Sequence, residues 1–371
     1  MTDTLKEHAP GSHPDLPPPV TSRGAIRWMR ENLFSSPTNT VLTLLSIYLI
    51  YVVVPPLIDW AFINSVVDAG SRDECWSKAG GACWAVVSVR FGQLMYGFYP
   101  EALRWRVDLT FILLAFAVAP ILFDKVPFRR PWLVFSFAFP VIAYFLLWGG
   151  LGLEHVESSK FGGFMLTLVI GLTGIAVSLP IGILLALGRQ SDLLVLKVIS
   201  VCFIEFIRGV PLITLLFVAS TLLNYFLPPG TYFDLLLRVL IMVTLFAAAY
   251  IAEVIRGGLQ AIPKGQFEAA MAMGLSYWKM MGLIVLPQAM KISIPGIVNT
   301  FIGLYKDTTL VVIIGLLDPL GLTQSILADS KWQGLSTELY VFIAVFFFVS
   351  CFGMSRYSIY LEKKLETGHK R

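Results

Sequence analysis

The chain has 371 residues, 56% of them hydrophobic and 14% charged, with a formal net charge of +4 and a mean hydropathy of +0.75. Soluble domains carry roughly 25% charged residues, so a soluble globular protein is excluded. So small a net charge over this length makes no basic face for nucleic acid either. The composition describes an integral membrane protein.

In chain order, residues 1–40 are polar and Pro-rich (Pro10, Pro14, Pro17, Pro18, Pro19). They read as a disordered cytoplasmic tail with no cleavable signal peptide. A spanning helix needs about 20 apolar residues to cross roughly 30 Å of hydrocarbon. Uncharged runs fall at 41–58, 109–123, 131–153, 161–188, 209–233, 239–252 and 339–355, and 292–317 is interrupted only by Lys306-Asp307. The expectation is an all-α protein with about eight transmembrane helices. Lys and Arg favour cytoplasmic flanks. Arg23, Arg27 and Arg30, then Lys125, Arg129 and Arg130, then Arg189 and Lys197, then Arg256, Lys264 and Lys279, and finally the basic C-terminus all fall on one side. Both termini are therefore expected in the cytoplasm, and the segment 64–107 outside.

That exported segment carries Cys75 and Cys83. They either form a disulfide closing a small ring, as an oxidising compartment permits, or stay as interfacial thiols beside Trp76 and Trp84. Its aromatic and basic residues (Tyr96, Tyr99, Trp105, Arg104, Arg106) suit a membrane-interface belt. Cys202 and Cys351 read as small buried hydrophobes. The four histidines (His8, His13, His155, His369) have no metal-ligand spacing, so no metal site is expected.

The polar stretch 153–160 separates two parts. A three-span extension (41–156) has ordinary apolar helices. In the core (160–365, with 366–371 as a tail), ionisable residues and helix breakers recur inside apolar runs, where charge usually faces a protein interior or an aqueous path.

Residues 256–290 are too long for a turn and too amphipathic for a linker. Pro263 stops the preceding helix and Lys264-Gly265-Gln266 supplies a turn. A short helix follows through Glu268-Ala269-Ala270, with the carboxylate in its first turn, where the helix dipole favours it. Gly274 suits a left-handed helix end, and Ser276 suits the cap of a second short helix. Small side chains on a projecting helix allow close approach to a partner's groove.

Glu268-Ala269-Ala270, Gly274, Ile284, Leu286 and Pro287 stand in the pattern EAA-x3-G-x9-I-x-LP. This resembles the signature loop of permease subunits of binding-protein-dependent ABC importers. Residues 164–191, 203–217, 248–276 and 305–318 resemble the polar amino-acid branch of that family, and the extension resembles the larger permease subunits of general L-amino-acid importers. The resemblance implies a five-helix core, a second homologous permease subunit, an ATPase dimer holding ATP and Mg, and a periplasmic amino-acid-binding protein. This chain itself would bind no cofactor. It would be a non-enzymatic inner-membrane subunit coupled to the ATPase through Lys264, Gly265, Glu268, Ala269, Ala270, Gly274, Ile284, Leu286 and Pro287. No Gly-Lys dipeptide occurs, so a phosphate-binding Walker loop is absent from the sequence.

For the transport path, Gly209 and Pro211 are expected to break the segment 193–227, leaving 193–208 at the inner surface and 210–227 as the span. Glu205 and Arg208 then form an i,i+3 pair that is either an inner gate or a local ion pair anchoring the kink. Glu253 pairs with Arg256, or with Arg208 or Lys306 from another helix. Lys306, Asp307 and Thr308 imply a helix break lining a cavity. That break either receives the charged ends of an amino acid or holds a salt bridge or subunit contact. The competing reading of the chain is an ion-coupled secondary transporter or channel working alone, which predicts inverted repeats and no projecting loop.

Overall fold

A computed structural model describes residues 24–222, 225, 228 and 233–365. Among these residues the chain is helical, apart from turns and isolated bridge residues such as the pair Gly150 and Leu153. Contacts divide it into two compact units: residues up to 66 with 76–82, and 67–75 with 83 onward.

The first unit holds α1 (Gly24–Asn32) and α2 (Pro37–Ile58), which continues through a π turn, Asp59–Ile63. Ser36 caps α2, its hydroxyl accepting from Asn39 N at 3.1 Å. Backbone bonds from Ala82 N to Trp60 O and from Val66 N to Ala82 O, both 2.8 Å, close this unit.

The second unit contains the start of α3 (Arg72–Lys78), then α4 (Ala85–Tyr96), α5 (Arg104–Leu122), α6 (Arg129–Trp148), α7 (Gly163–Arg189), α8 (Leu194–Gly209) and α9 (Leu212–Thr221). It continues with α10 (Leu235–Gln260), α11 (Lys264–Ala272), α12 (Tyr277–Met280), α13 (Leu286–Asp307), α14 (Pro319–Leu327) and α15 (Ser336–Leu365). A π turn, Met281–Val285, joins α12 to α13, and a 3-10 turn, Thr308–Ile314, extends α13.

Among the described residues, seven helical stretches are long and apolar enough to cross a membrane, or eight if the bent pair α8–α9 counts as one span. The break expected at Gly209 and Pro211 is present: α8 and α9 meet at 102°. α9 ends at Thr221, and residues 223–224, 226–227 and 229–232 lie outside the described set. Val210 is extended (φ −111°, ψ 131°) because it precedes Pro211, and Pro211 has no N–H to continue the ladder. The break falls where Gly209 and Pro211 place it, and α9 alone, about 15 Å long, is too short to span.

The segment 64–107 is not a loop. It folds into α3, α4 and the start of α5. Tyr99 and Arg106, expected in an interface belt, are buried. The Tyr99 hydroxyl donates to Leu147 O at 2.9 Å and Arg106 donates to Glu154 O at 2.7 Å. Burial pushes the Tyr99 phenol above its ordinary pKa, and the Asp108 carboxylate that accepts its hydroxyl does the same for Tyr96. Cys75 and Cys83 are joined in a disulfide with Cα atoms 5.7 Å apart. Cys83 N donates to Glu338 Oε1 at 3.2 Å, fastening this ring to the start of α15. Cys202 is exposed on α8 rather than buried, and Cys351 is half-buried.

α7 and α10 form the most extensive helix pair. Small residues permit it: a Cβ on Gly182 would lie 2.6 Å from the Ile251 side chain. Two apolar clusters lie along these helices. One gathers Met165, Leu166, Ile170, Val239, Val243, Leu304 and Val311. The other gathers Ala186, Ile204, Ile251, Ile255, Ala270, Val285 and Ala289 at the opposite end of α7 and α10. α13 runs from the second cluster to the first.

Candidate functional site

The first element of the site is the projecting pair α11–α12. α10 ends at Gln260, and Pro263, extended at φ −59° and ψ 137°, leads directly into α11. Lys264 and Gly265, expected in a turn, instead form the first turn of the helix, so Glu268, expected in that first turn, stands in the second. Pro263 supplies the chain reversal, so no further residues are needed for it.

The C-terminus of α11 is a Schellman closure. Leu275 N bonds Ala270 O at 3.2 Å and Gly274 N bonds Met271 O at 2.9 Å, with Gly274 left-handed at φ +73°. Ala270 and Leu275 both pack into the apolar cluster beneath. Ser276 occupies the cap position of α12, but its hydroxyl bonds no backbone N–H of that helix.

Beyond α12, Pro287 cannot donate to the carbonyl four residues back, and the ladder slips: Leu286 N bonds Met281 O across a π turn. Gln288 ties this segment to α11, donating to Gln266 Oε1 at 3.1 Å. Ala270 is thus the anchored residue. Lys264, Gly265, Glu268, Ala269, Gly274 and Pro287 are exposed, whereas Ile284 and Leu286 are half-buried. Met271, Met273, Trp278 and Leu283 add exposed apolar surface, Trp278 and Leu283 being 69% and 71% exposed. Glu268 makes no ion pair with any described residue.

The second element is an ion network beside the same cluster. Glu253 on α10 is its centre. It accepts from Arg256 Nε at 2.9 Å and lies 3.4 Å from Arg189 on α7 and 3.7 Å from Arg208 on α8. Arg189 also bonds Glu205 Oε1 at 2.8 Å. The expected Glu205–Arg208 pair does not form, because each side chain reaches across to another helix. Of the partners expected for Glu253, Arg256 and Arg208 are present, while Lys306 lies elsewhere. Three guanidinium groups face two carboxylates, and Arg208 also lies 5.6 Å from the centre of the Tyr250 ring. The network joins α7, α8 and α10 beside the 102° bend.

Lys306, Asp307 and Thr308 are not part of it. They sit at the far end of α13, about 30 Å along its axis from Leu286. Here the α-helix gives way to the 3-10 turn, so the expected break is a change of helix type. Thr308 is buried and its hydroxyl donates to Tyr305 O at 2.8 Å. Lys306 is exposed and Asp307 half-buried.

Three polar residues of the core escaped sequence reasoning. Arg189 was read only as a topology marker. Arg238, buried, donates to Ala219 O at 3.2 Å and to Ser220 O, closing the end of α9. Asp318, fully buried, caps α14 by accepting from Gly321 N at 2.9 Å, and burial pushes its carboxyl up to about 6. Asp318-Pro319 at a helix start was a readable cap signal. Nothing local marks Arg238. Among the described residues, no group of acidic, His and Cys side chains could hold a metal ion.

This is a polytopic helical membrane protein with an exposed helical knuckle between two of its long apolar helices. Residues 178–367, which include both the knuckle and the far end of α13, match the family described as binding-protein-dependent transport system inner membrane component, and the chain belongs to that family. It is 49% identical to the glutamate/glutamine/aspartate/asparagine transport system permease protein BztC of Rhodobacter capsulatus, over 95% of this chain and 96% of that protein. It is also 49% identical to the inner membrane amino-acid ABC transporter permease protein YhdY of Escherichia coli K12, over 96% and 97% of the two chains. A crystal structure of an amino acid ABC transporter with histidines aligns with 54% of this chain and 91% of its own, at 28% identity and a TM-score of 0.48.

Proposed function

We propose that the chain is the membrane-spanning subunit of an ATP-driven importer that carries L-amino acids, polar or broad in range, from periplasm to cytoplasm. The observation that carries this reading is the α11–α12 knuckle. Its helix is anchored by Ala270 and closed at Gly274, yet it presents Glu268, Ala269 and Met271 to solvent, and Glu268 has no ion-pair partner among the described residues. Such a helix suits insertion into a cleft of an ATPase subunit, where ATP and Mg would be held. Ile284, Leu286 and Pro287 connect it to α13, so displacement of the knuckle would be felt along α13. The names of the relatives support an amino acid as cargo.

In this arrangement a second homologous permease subunit completes the membrane path, two ATPase subunits lie beneath, and a periplasmic amino-acid-binding protein delivers substrate. Both termini lie in the cytoplasm, as the basic flanks favour. Glu205, Arg208 and Glu253, with Arg189 and Arg256, form an inner gate at the α8–α9 bend. Lys306, Asp307 and Thr308 contribute to the path at the other end of α13, where an ammonium and a carboxylate match the charged ends of an amino acid.

The test is substrate-stimulated ATP hydrolysis by the reconstituted complex. Glu268→Arg and Gly274→Asp should abolish stimulation while the permease remains folded and membrane-inserted. Wild-type stimulation in both variants would refute the coupling role. Amino-acid uptake unchanged by Lys306→Met and by Asp307→Asn would remove those residues from the path.

A further inference from the structure

We propose that the α5–α6 turn and the last turns of α15 together bind the headgroup of an anionic phospholipid. The two elements are distant in sequence and fastened side by side. Asp124 takes Arg129 at 2.7 Å and also pairs with Lys364. The Tyr357 hydroxyl donates to Leu122 O at 2.5 Å, and the Phe123 and Tyr357 rings meet edge to face at 6.4 Å. The fastening uses one carboxylate for two cations and leaves others uncompensated. Lys125, Arg130, Arg356 and Lys363 are exposed and make no ion pair with any described residue.

Within 123–130 and 352–365, six basic side chains face two carboxylates, Asp124 and Glu362. This excess equals the formal net charge of the whole chain, +4. It is concentrated where two spanning helices turn and a third ends, hence at the depth of headgroups. Arg356, Tyr360 and Lys363 recur at i, i+4 and i+7, a single stripe of α15 beside the one that faces the turn.

The apolar side chains point to a lipid rather than a soluble anion. Phe128, at the tip of the turn, is 83% exposed and held left-handed at φ +54°, a conformation bulky residues rarely adopt. Tyr360 is 53% exposed on the same face as Arg356. Aromatic rings beside unpaired cations at the ends of spanning helices fit the boundary between headgroup and acyl chain. A phosphodiester there would bridge Arg130 to Lys363 or Arg356 and reinforce the link between α5–α6 and α15.

Purified full-length protein, titrated with phosphatidylglycerol or phosphatidylcholine and read by native mass spectrometry, tests this. Phosphatidylglycerol should be retained preferentially. Arg130→Gln with Lys363→Gln, which spares the Asp124 pairs, should weaken that retention about tenfold or more. Lys197→Gln with Lys291→Gln, an equal loss of charge elsewhere, should not. Phe128→Gly should raise thermal stability without lipid yet reduce the stabilisation phosphatidylglycerol provides. Equal retention of the two lipids by the wild type would overturn the proposal, as would unchanged phosphatidylglycerol retention in the Arg130→Gln/Lys363→Gln protein. Loss of a co-purifying ATPase subunit from that variant, with lipid retention intact, would assign the patch to a protein partner and overturn it too.

Discussion

The Glu253 carboxylate lies 3.4 Å from the Arg189 guanidinium, joining the last residue of α7 to the final turns of α10. One half-buried carboxylate holds three guanidinium groups from three helices, so removing it leaves like charges facing one another.

Glu253→Gln is expected to lower stability by about 1–3 kcal/mol, since the guanidinium groups lose their shared counter-charge. Arg189→Gln should cost less, because Glu253 keeps Arg256. A double-mutant cycle read by thermal unfolding in detergent measures the pair, and a coupling energy near zero would show that Arg189 and Glu253 act independently.

Gly274→Ala places a Cβ on a left-handed residue at the end of α11, at an expected cost of about 1–2 kcal/mol. Nothing lies within 4 Å of that Cβ, so the cost is backbone strain rather than a clash. Hydrogen exchange should therefore rise in α11 and stay unchanged in α7. Equal exchange in α11 for both proteins would contradict the Schellman closure.

At Gly258, by contrast, the obstacle is packing. An added Cβ would lie 2.1 Å from Ser293 Oγ and 2.6 Å from Ala289 O, a backbone atom that cannot swing aside. Gly258→Ala should separate α10 from α13 and cost about 1–3 kcal/mol. Combining it with Ser293→Ala should recover only part of this, as the Ala289 carbonyl remains.

Asp318 carries a pH dependence. Its carboxyl titrates near about 6 in the folded chain, above the ordinary value near ~3.9. The folded state therefore binds the proton more tightly than the unfolded state. Asp318 favours folding most below the lower value, and that contribution is lost as pH rises through about 6. Asp318→Asn keeps a capping oxygen and should flatten the stability profile across this window. Unfolding measured on both sides of it, with identical slopes in the two proteins, would refute the assignment.

Much of the architecture was legible in the sequence because hydrocarbon imposes a simple rule. Runs of apolar residues must be helical and about as long as the membrane is thick. The knuckle was legible for a local reason: Pro263, Glu268-Ala269-Ala270 and Gly274 specify a helix start, its small side chains and its left-handed end within a dozen or so residues.

What the sequence could not supply were partners across space. Arg189 and Glu205 have no reason in local spacing to meet, and the i,i+3 spacing of Glu205 and Arg208 suggested the wrong pair. The same holds for Arg238 on the end of α9 and for Lys364 on Asp124. By itself the sequence determined that this is a helical membrane protein, roughly where its long apolar helices lie, and which segment stands between two of them. Only the tertiary structure decided which charges neutralise one another. A buried or half-buried charge pairs with whatever the packing of α7, α8, α10 and α15 brings within reach, and chain distance does not enter that energy.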